Sequence, residues 1–144
     1  MEIPQELPSA SLLRLFMAII YDSLLLLSVL IFATVLVLVF ALTAEQISQD
    51  YKIFFQFYLL MVCFFYFSWP WLRRGQTLGM KAWRIQVQSI DGNPLTWRQV
   101  SLRFFMAIVS GLLLGMGFFW AIADKQHQTW HDRVSDTRIV LRPK

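Results

Sequence analysis

The sequence is poor in cysteine, in charge and in histidine. Cys63 is the only cysteine among 144 residues, which excludes an intramolecular disulfide and a cysteine-based zinc site. It lies in a run of Phe, Leu, Met and Val and reads as a small buried hydrophobe. Charged residues make up only 15%, against about 25% in an ordinary soluble domain. Lys and Arg number 13 and Asp and Glu 9, for a net +4. Nucleic-acid binders carry such an excess on a solvated face, which a chain this apolar does not present, so no nucleic-acid partner is expected. No nucleophile, base and acid stand together, and an enzyme is not expected.

What is abundant is apolar residues, at 57%, with a mean hydropathy of +0.53. They fall into runs. Residues 24–42 form 19 positions without a charge, enough to cross a hydrocarbon core of about 30 Å as a helix. The first span is placed at about residues 15–42, interrupted only by Asp22, with Ser9 as its N-cap after an irregular stretch 1–8. It exceeds the usual h-region of a cleavable signal and is read as a retained helix. A second span covers about 53–72, with Ser48 as a possible cap and Tyr58, Tyr66, Trp69 and Trp71 along its second half, where interfacial aromatics gather. Pro70 falls near its end, where a lost backbone bond costs least. The short loop between the two makes them antiparallel neighbours.

Residues 73–103 hold six Lys or Arg and one acid, whereas residues 43–52 hold one Lys. The positive-inside rule therefore assigns 73–103 and the N-terminus to the cytoplasm. Trp83-Arg84-Ile85-Gln86-Val87-Gln88 alternates as a half-buried strand does. Asp91-Gly92-Asn93-Pro94 is a turn, and Thr96-Trp97-Arg98-Gln99 fits a capping box that opens a third helix. Residues 104–123 are again free of charge, and the basic tail 124–144 contains a second alternating stretch at Arg138–Arg142. Hydropathy makes the third apolar run a span and sends the tail outside. The charge rule keeps the tail inside, which calls for a re-entrant or strongly tilted segment hinged near Gly111–Gly117 and lets the two alternating stretches pair. Ala107, Gly111 and Gly115 form a small-residue ridge that could pack on a neighbouring helix. The fold expected is an all-α membrane protein with two clear spans, a third apolar helical segment and a small cytoplasmic β element, as a single domain over 9–144 in a multi-pass cell-membrane protein, the inner membrane if bacterial.

The scarce charged and turn residues form a pattern. Arg14 and Asp22 lie in or beside the first span. Gly75 and Gly79 frame Gly75-Gln76-Thr77-Leu78-Gly79-Met80-Lys81. Arg103 enters the third run, Asp124 leaves it, and Trp130-His131-Asp132-Arg133 follows. This order resembles the RDD family of small membrane proteins, over roughly Leu7 to Leu141. The resemblance implies that Arg14 is the family arginine, Asp22 its first aspartate, and Asp132, or else Asp124, its second. It also implies an integral membrane domain, and some members have been proposed to exchange cations for protons.

Arg14 and Asp22 are eight residues apart, about 12 Å of rise and about 80° of rotation on a helix, so they do not pair with each other. Arg14 is expected to meet Asp124 or Asp132, and Asp22 to meet Arg103. Two roles are open for Asp22. Intramembrane carboxylates serve as ion or proton sites, with Asp132 as a second carrier. Alternatively Asp22 is part of a structural ion pair at the interface. His127 and His131 share a helical spacing but lack the intervening acid of a hydrolytic zinc motif. No metal is expected, and the tail, with its Trp130-His131 motif, reads as loop tethered by Trp130 at the interface and by Asp132 salt-bridged to an arginine. No Lys-Ser/Thr follows the Gly75–Gly79 turn, so no nucleotide and no other cofactor is expected. Arg73, Arg74, Lys81 and Arg84 are placed to contact anionic lipid. The functional expectation is cation/proton exchange by a homo-oligomer, since one small chain has few helices to enclose a path. The alternative is a non-catalytic membrane adaptor or assembly factor, its protein partner unknown.

Overall fold

The computed structural model describes residues 8–43, 51–113 and 129–142. Helix α1 runs from Leu12 to Thr43 and α2 from Tyr51 to Arg74. Both are long and apolar enough to cross a membrane. Their large side chains are mostly uncovered by protein, among them Phe32, Phe40, Phe54 and Phe57, the surface that lipid would cover. At 32 residues α1 is about 48 Å long. A core of about 30 Å measured back from Thr43 ends near Leu24, so Asp22 sits just beyond that boundary.

The remaining elements gather at the end of α1 that carries Leu15 and Ala18. They are a short helix α3 (Leu78–Ala82), strand β1 (Ile85–Ser89), helix α4 (Trp97–Leu112), a short helix α5 (Trp130–Val134) and strand β2 (Thr137–Leu141). β1 and β2 pair antiparallel, with Ile85 opposite Leu141, Val87 opposite Ile139 and Ser89 opposite Thr137. Ile85 and Val87 turn inward and are fully buried, as the two-residue period requires. The free edge of β2 is covered by the chain's own start. Ser9 bridges to Val140, Ala10 N donates to the Ile139 carbonyl at 3.1 Å, and Leu141 N donates to the Pro8 carbonyl at 2.9 Å. Ser9 therefore closes a sheet edge instead of capping α1, which begins three residues later. Ser48 lies outside the described residues.

One apolar core joins these elements. Leu15 and Ala18 of α1, Trp71 of α2, Met80 of α3, Val87 of β1, Phe104 of α4 and Ile139 of β2 pack together, with half-buried Cys63 against them. Between α2 and α4 the contact is aromatic. Phe64 meets Phe104 edge-on at 5.2 Å between ring centroids, a favoured geometry for such pairs.

Pairing with β1 brings β2 beside residues 73–103, as the re-entrant or tilted reading allows. The third helix starts at Trp97, seven residues before the apolar run, because the capping box operates. Thr96 Oγ1 accepts from Gln99 N at 3.3 Å while Gln99 Oε1 accepts from Thr96 N at 3.0 Å. Residues 114–128, where the chain would turn back, lie outside the described residues. Among the described residues a methyl group at Gly111 would meet nothing within 4 Å, so no described helix packs on it; Gly115 of the expected ridge lies outside the described residues.

Candidate functional site

Two buried carboxylates tie the chain together at the foot of α1. Asp22 is 4% exposed. Its Oδ1 accepts from the Gly79 amide at 2.9 Å and from the Tyr66 hydroxyl at 3.4 Å. Its Oδ2 accepts from the Thr77 hydroxyl. Thr77 is also the N-cap of α3, its Oγ1 accepting from Met80 N at 3.2 Å. The carboxylate of a membrane helix thus grips the start of a loop helix through one side chain and one amide, and a second helix through Tyr66. All three contacts are donors, the complement of a carboxylate. Gly79 makes the approach possible. A Cβ there would stand 2.8 Å from Asp22 Cγ and Oδ2, inside van der Waals contact.

Arg103, with a side chain 3% exposed, forms the second clamp. Its Nη1 donates to Asp132 Oδ1 and, at 3.0 Å, to Thr137 Oγ1. Its guanidinium carbon lies 5.3 Å from the centroid of the Trp71 ring, within cation–π range. Asp132 turns its other oxygen to Thr129, accepting from the backbone amide at 2.9 Å and from the hydroxyl. The pair therefore joins α4 to α5 and to the start of β2. Burial of both charges demands this degree of satisfaction, since an uncompensated charge inside a protein is costly.

A third joint lies at Gly75, which has φ +65° and would place a Cβ 2.5 Å from the Val87 carbonyl oxygen. Its own carbonyl accepts from Val87 N at 2.7 Å. Beside it, buried Gln76 donates to the Ile85 carbonyl at 2.8 Å and accepts from Arg142 at 3.0 Å, so the sequence after α2 is locked to both strands.

The sequence expectations are redistributed by these contacts. Asp22 does not meet Arg103; its partners are neutral donors, because α3 intervenes. Arg103 meets Asp132 instead. Arg14 is exposed and makes no hydrogen bond or ion pair among the described residues, because it faces away from the core that Leu15 and Ala18 enter. The stretch 75–81 is more than a tight turn, since it contains most of α3. The tail at Trp130 and His131 is helical rather than loop; nothing is described of those two side chains. Asp124 and His127 lie outside the described residues. Among the described residues no group of three His, Cys, Asp or Glu could hold a metal. Thr77, Tyr66, Gln76 and Thr137 complete these joints; in the sequence Gln76 and Thr77 stand only within the Gly75–Lys81 stretch, Tyr66 reads only as an interfacial aromatic, and Thr137 carries no signal. Thr129 does: Thr129-Trp130-His131-Asp132 has the spacing of a capping box.

The sequence matches the RDD family over residues 9–136. The chain belongs to the RDD family. No curated protein and no solved structure matches it. Within this RDD-family chain, Asp22 and Asp132 sit in separate clamps bridged by a cleft of about 260 Å³. Its walls are mainly apolar, from Leu15, Ile19, Phe67, Phe104 and Ile108, with Asp22 and Arg103 also facing it.

Proposed function

We propose that this RDD-family protein is a non-catalytic membrane scaffold. In this reading it is a multi-pass protein of the cell membrane, the inner membrane if bacterial, and its buried charges hold a small basic platform against the cytoplasmic face. The observation that carries the reading is the use of Asp22. Both its oxygens are taken by donors from the chain's own α2 and α3 segment. A proton on Oδ1 would face the Gly79 amide, donor against donor, and a proton on Oδ2 would need the Thr77 hydroxyl, which already accepts from Met80 N, to turn and accept a second bond; a metal cation on Oδ1 would have to displace the Gly79 N–H. Asp132 is occupied in the same way by Arg103 and Thr129. The platform presents Arg84 and Arg98 as exposed cations, suited to a negatively charged surface. A monomer suffices for this role.

Cation/proton exchange by a homo-oligomer is the second reading. It is favoured by the cleft that Asp22 and Arg103 share. Proton flux in proteoliposomes, measured with Na⁺, K⁺ and Li⁺ gradients, separates the two. The scaffold gives no cation-dependent flux above empty liposomes. Flux by the wild type that disappears in a folded Asp22→Asn protein would replace the scaffold reading with exchange, and cross-linking in membranes would then show an oligomer.

A further inference from the structure

The cleft that Asp22 and Arg103 face has a chemistry that neither clamp uses. It measures about 260 Å³ and is walled by α1, α2, α4 and Met80 of α3. Ser23 and Ile108 line it and are themselves exposed, which places its mouth between α1 and α4. Much of the wall is aromatic. Phe67 lies 5.5 Å from Trp71 and 6.5 Å from Phe104 between ring centroids, so the three rings form one continuous surface. Aromatic faces attract cations, and Arg103 already uses Trp71 in this way. The second feature is charge. Arg103 is neutralised by Asp132. Asp22 has only the neutral donors Thr77, Tyr66 and Gly79, and no ion pair reaches it among the described residues. Such donors stabilise a carboxylate and leave its charge in place. The charge of Asp22 is therefore unbalanced beside low-dielectric walls, an arrangement that focuses its field on a cation.

We propose that this cleft binds a lipophilic organic cation, a substituted ammonium ion that carries an aryl group. A metal ion needs a shell of oxygens, whereas the cleft offers carbon walls and one carboxylate whose lone pairs are largely taken. A quaternary ammonium spreads its charge over methyl groups, so it needs aromatic faces and a favourable field rather than ligating oxygens. Asp22 acts on it at a distance and stays in its clamp. The ammonium headgroup of a phospholipid does not fit. Its phosphate would need a donor, and Arg103 is committed to Asp132 and Thr137. The volume lies just below the range of about 300–1,000 Å³ typical of drug-sized ligands, which suits an ammonium with a single ring. The mouth at Ser23 lies just beyond the hydrocarbon boundary near Leu24, the depth at which amphipathic rings settle. Such binding requires no transport and is compatible with the scaffold.

The test is ligand-observed saturation-transfer NMR on the full chain in phosphatidylcholine nanodiscs, with the signal of empty nanodiscs subtracted. The probes are benzyltrimethylammonium and neopentylbenzene, its uncharged isostere with carbon in place of nitrogen. The wild type should bind the cation saturably and about tenfold or more tighter than the isostere. Asp22→Asn should erase that preference. Phe67→Leu should weaken cation binding by about twofold to thirtyfold. Ala107→Phe, which narrows the cleft and lies outside both clamps, should weaken it by about tenfold or more. If Asp22→Asn fails to fold, Phe67→Leu and Ala107→Phe still decide, since they leave the Asp22 contacts in place. Equal binding of the two probes by the wild type, or unchanged cation binding in Ala107→Phe, overturns the proposal. Displacement of the probe by Na⁺ or K⁺ at the probe's own concentration overturns it in favour of an inorganic cation, and retention of the probe supports it. Displacement by phosphatidylethanolamine mixed into the nanodiscs overturns it in favour of a lipid headgroup.

Discussion

Replacing Asp132 by Asn keeps the shape of the side chain and removes its charge. The Arg103 guanidinium then remains at 3% exposure without a counter-ion. The new amide can keep its oxygen toward Thr129, whose backbone N–H needs an acceptor, but that turns its NH₂ toward Arg103 Nη1, donor against donor. Breaking a buried ion pair from one side costs about 3–5 kcal/mol. At about 2–4 °C per kcal/mol for a domain of about 150 residues, the midpoint of thermal unfolding should fall by about 6–20 °C. Arg103→Met should cost less, because Asp132 keeps both Thr129 donors and Met fills the space beside Trp71. In the double variant the losses should not add. An interaction term of about 0.5–3 kcal/mol is expected for groups in direct contact. The assay is a double-mutant cycle followed by circular dichroism in one detergent at one protein concentration. Additive losses, or a shift under 2 °C for Asp132→Asn, would refute the assignment of this pair as a clamp.

Further outcomes follow from the other joints. Gly79→Ala should displace α3 from α1, raising the rate of tryptic cleavage at Lys81 and Arg84 in detergent-solubilised protein, while α1 and α2 stay helical. Gly75→Ala adds a left-handed backbone penalty of about 1–3 kcal/mol to the contact with the Val87 carbonyl oxygen; thermal unfolding should report at least that loss. Thr96→Ala removes the cap of α4 at a cost of about 1 kcal/mol, a small shift measurable in the same assay. A reporter fused after Lys144 should give a cytoplasmic signal, because β2 pairs with β1.

The two long helices were legible because lipid imposes runs of apolar residues that soluble folds do not need. The strands were legible from alternation alone, and the start of α4 from a capping box whose chemistry is local. The partners of the charges were not legible. Asp22 and Thr77 are 55 positions apart, and Arg103 and Asp132 are 29 apart, so no periodicity links them. Opposite charges suggested Asp22 with Arg103, yet neutral donors satisfy Asp22 through α3, a five-residue helix too short to show a periodic signature. Ser9 looked like a helix cap because Ser before an apolar run so often is one. The open edge of β2 took that segment instead, since unpaired strand edges attract any chain that can reach them.

The central claim is that Asp22 holds α3 on α1. Amide hydrogen exchange of residues 79–83 in membrane-embedded protein, wild type against Asp22→Asn, tests it most directly. Loss of the charged acceptor should speed exchange there by about tenfold to a hundredfold and leave the middle of α1 protected. Unchanged protection of residues 79–83 in Asp22→Asn would contradict the claim.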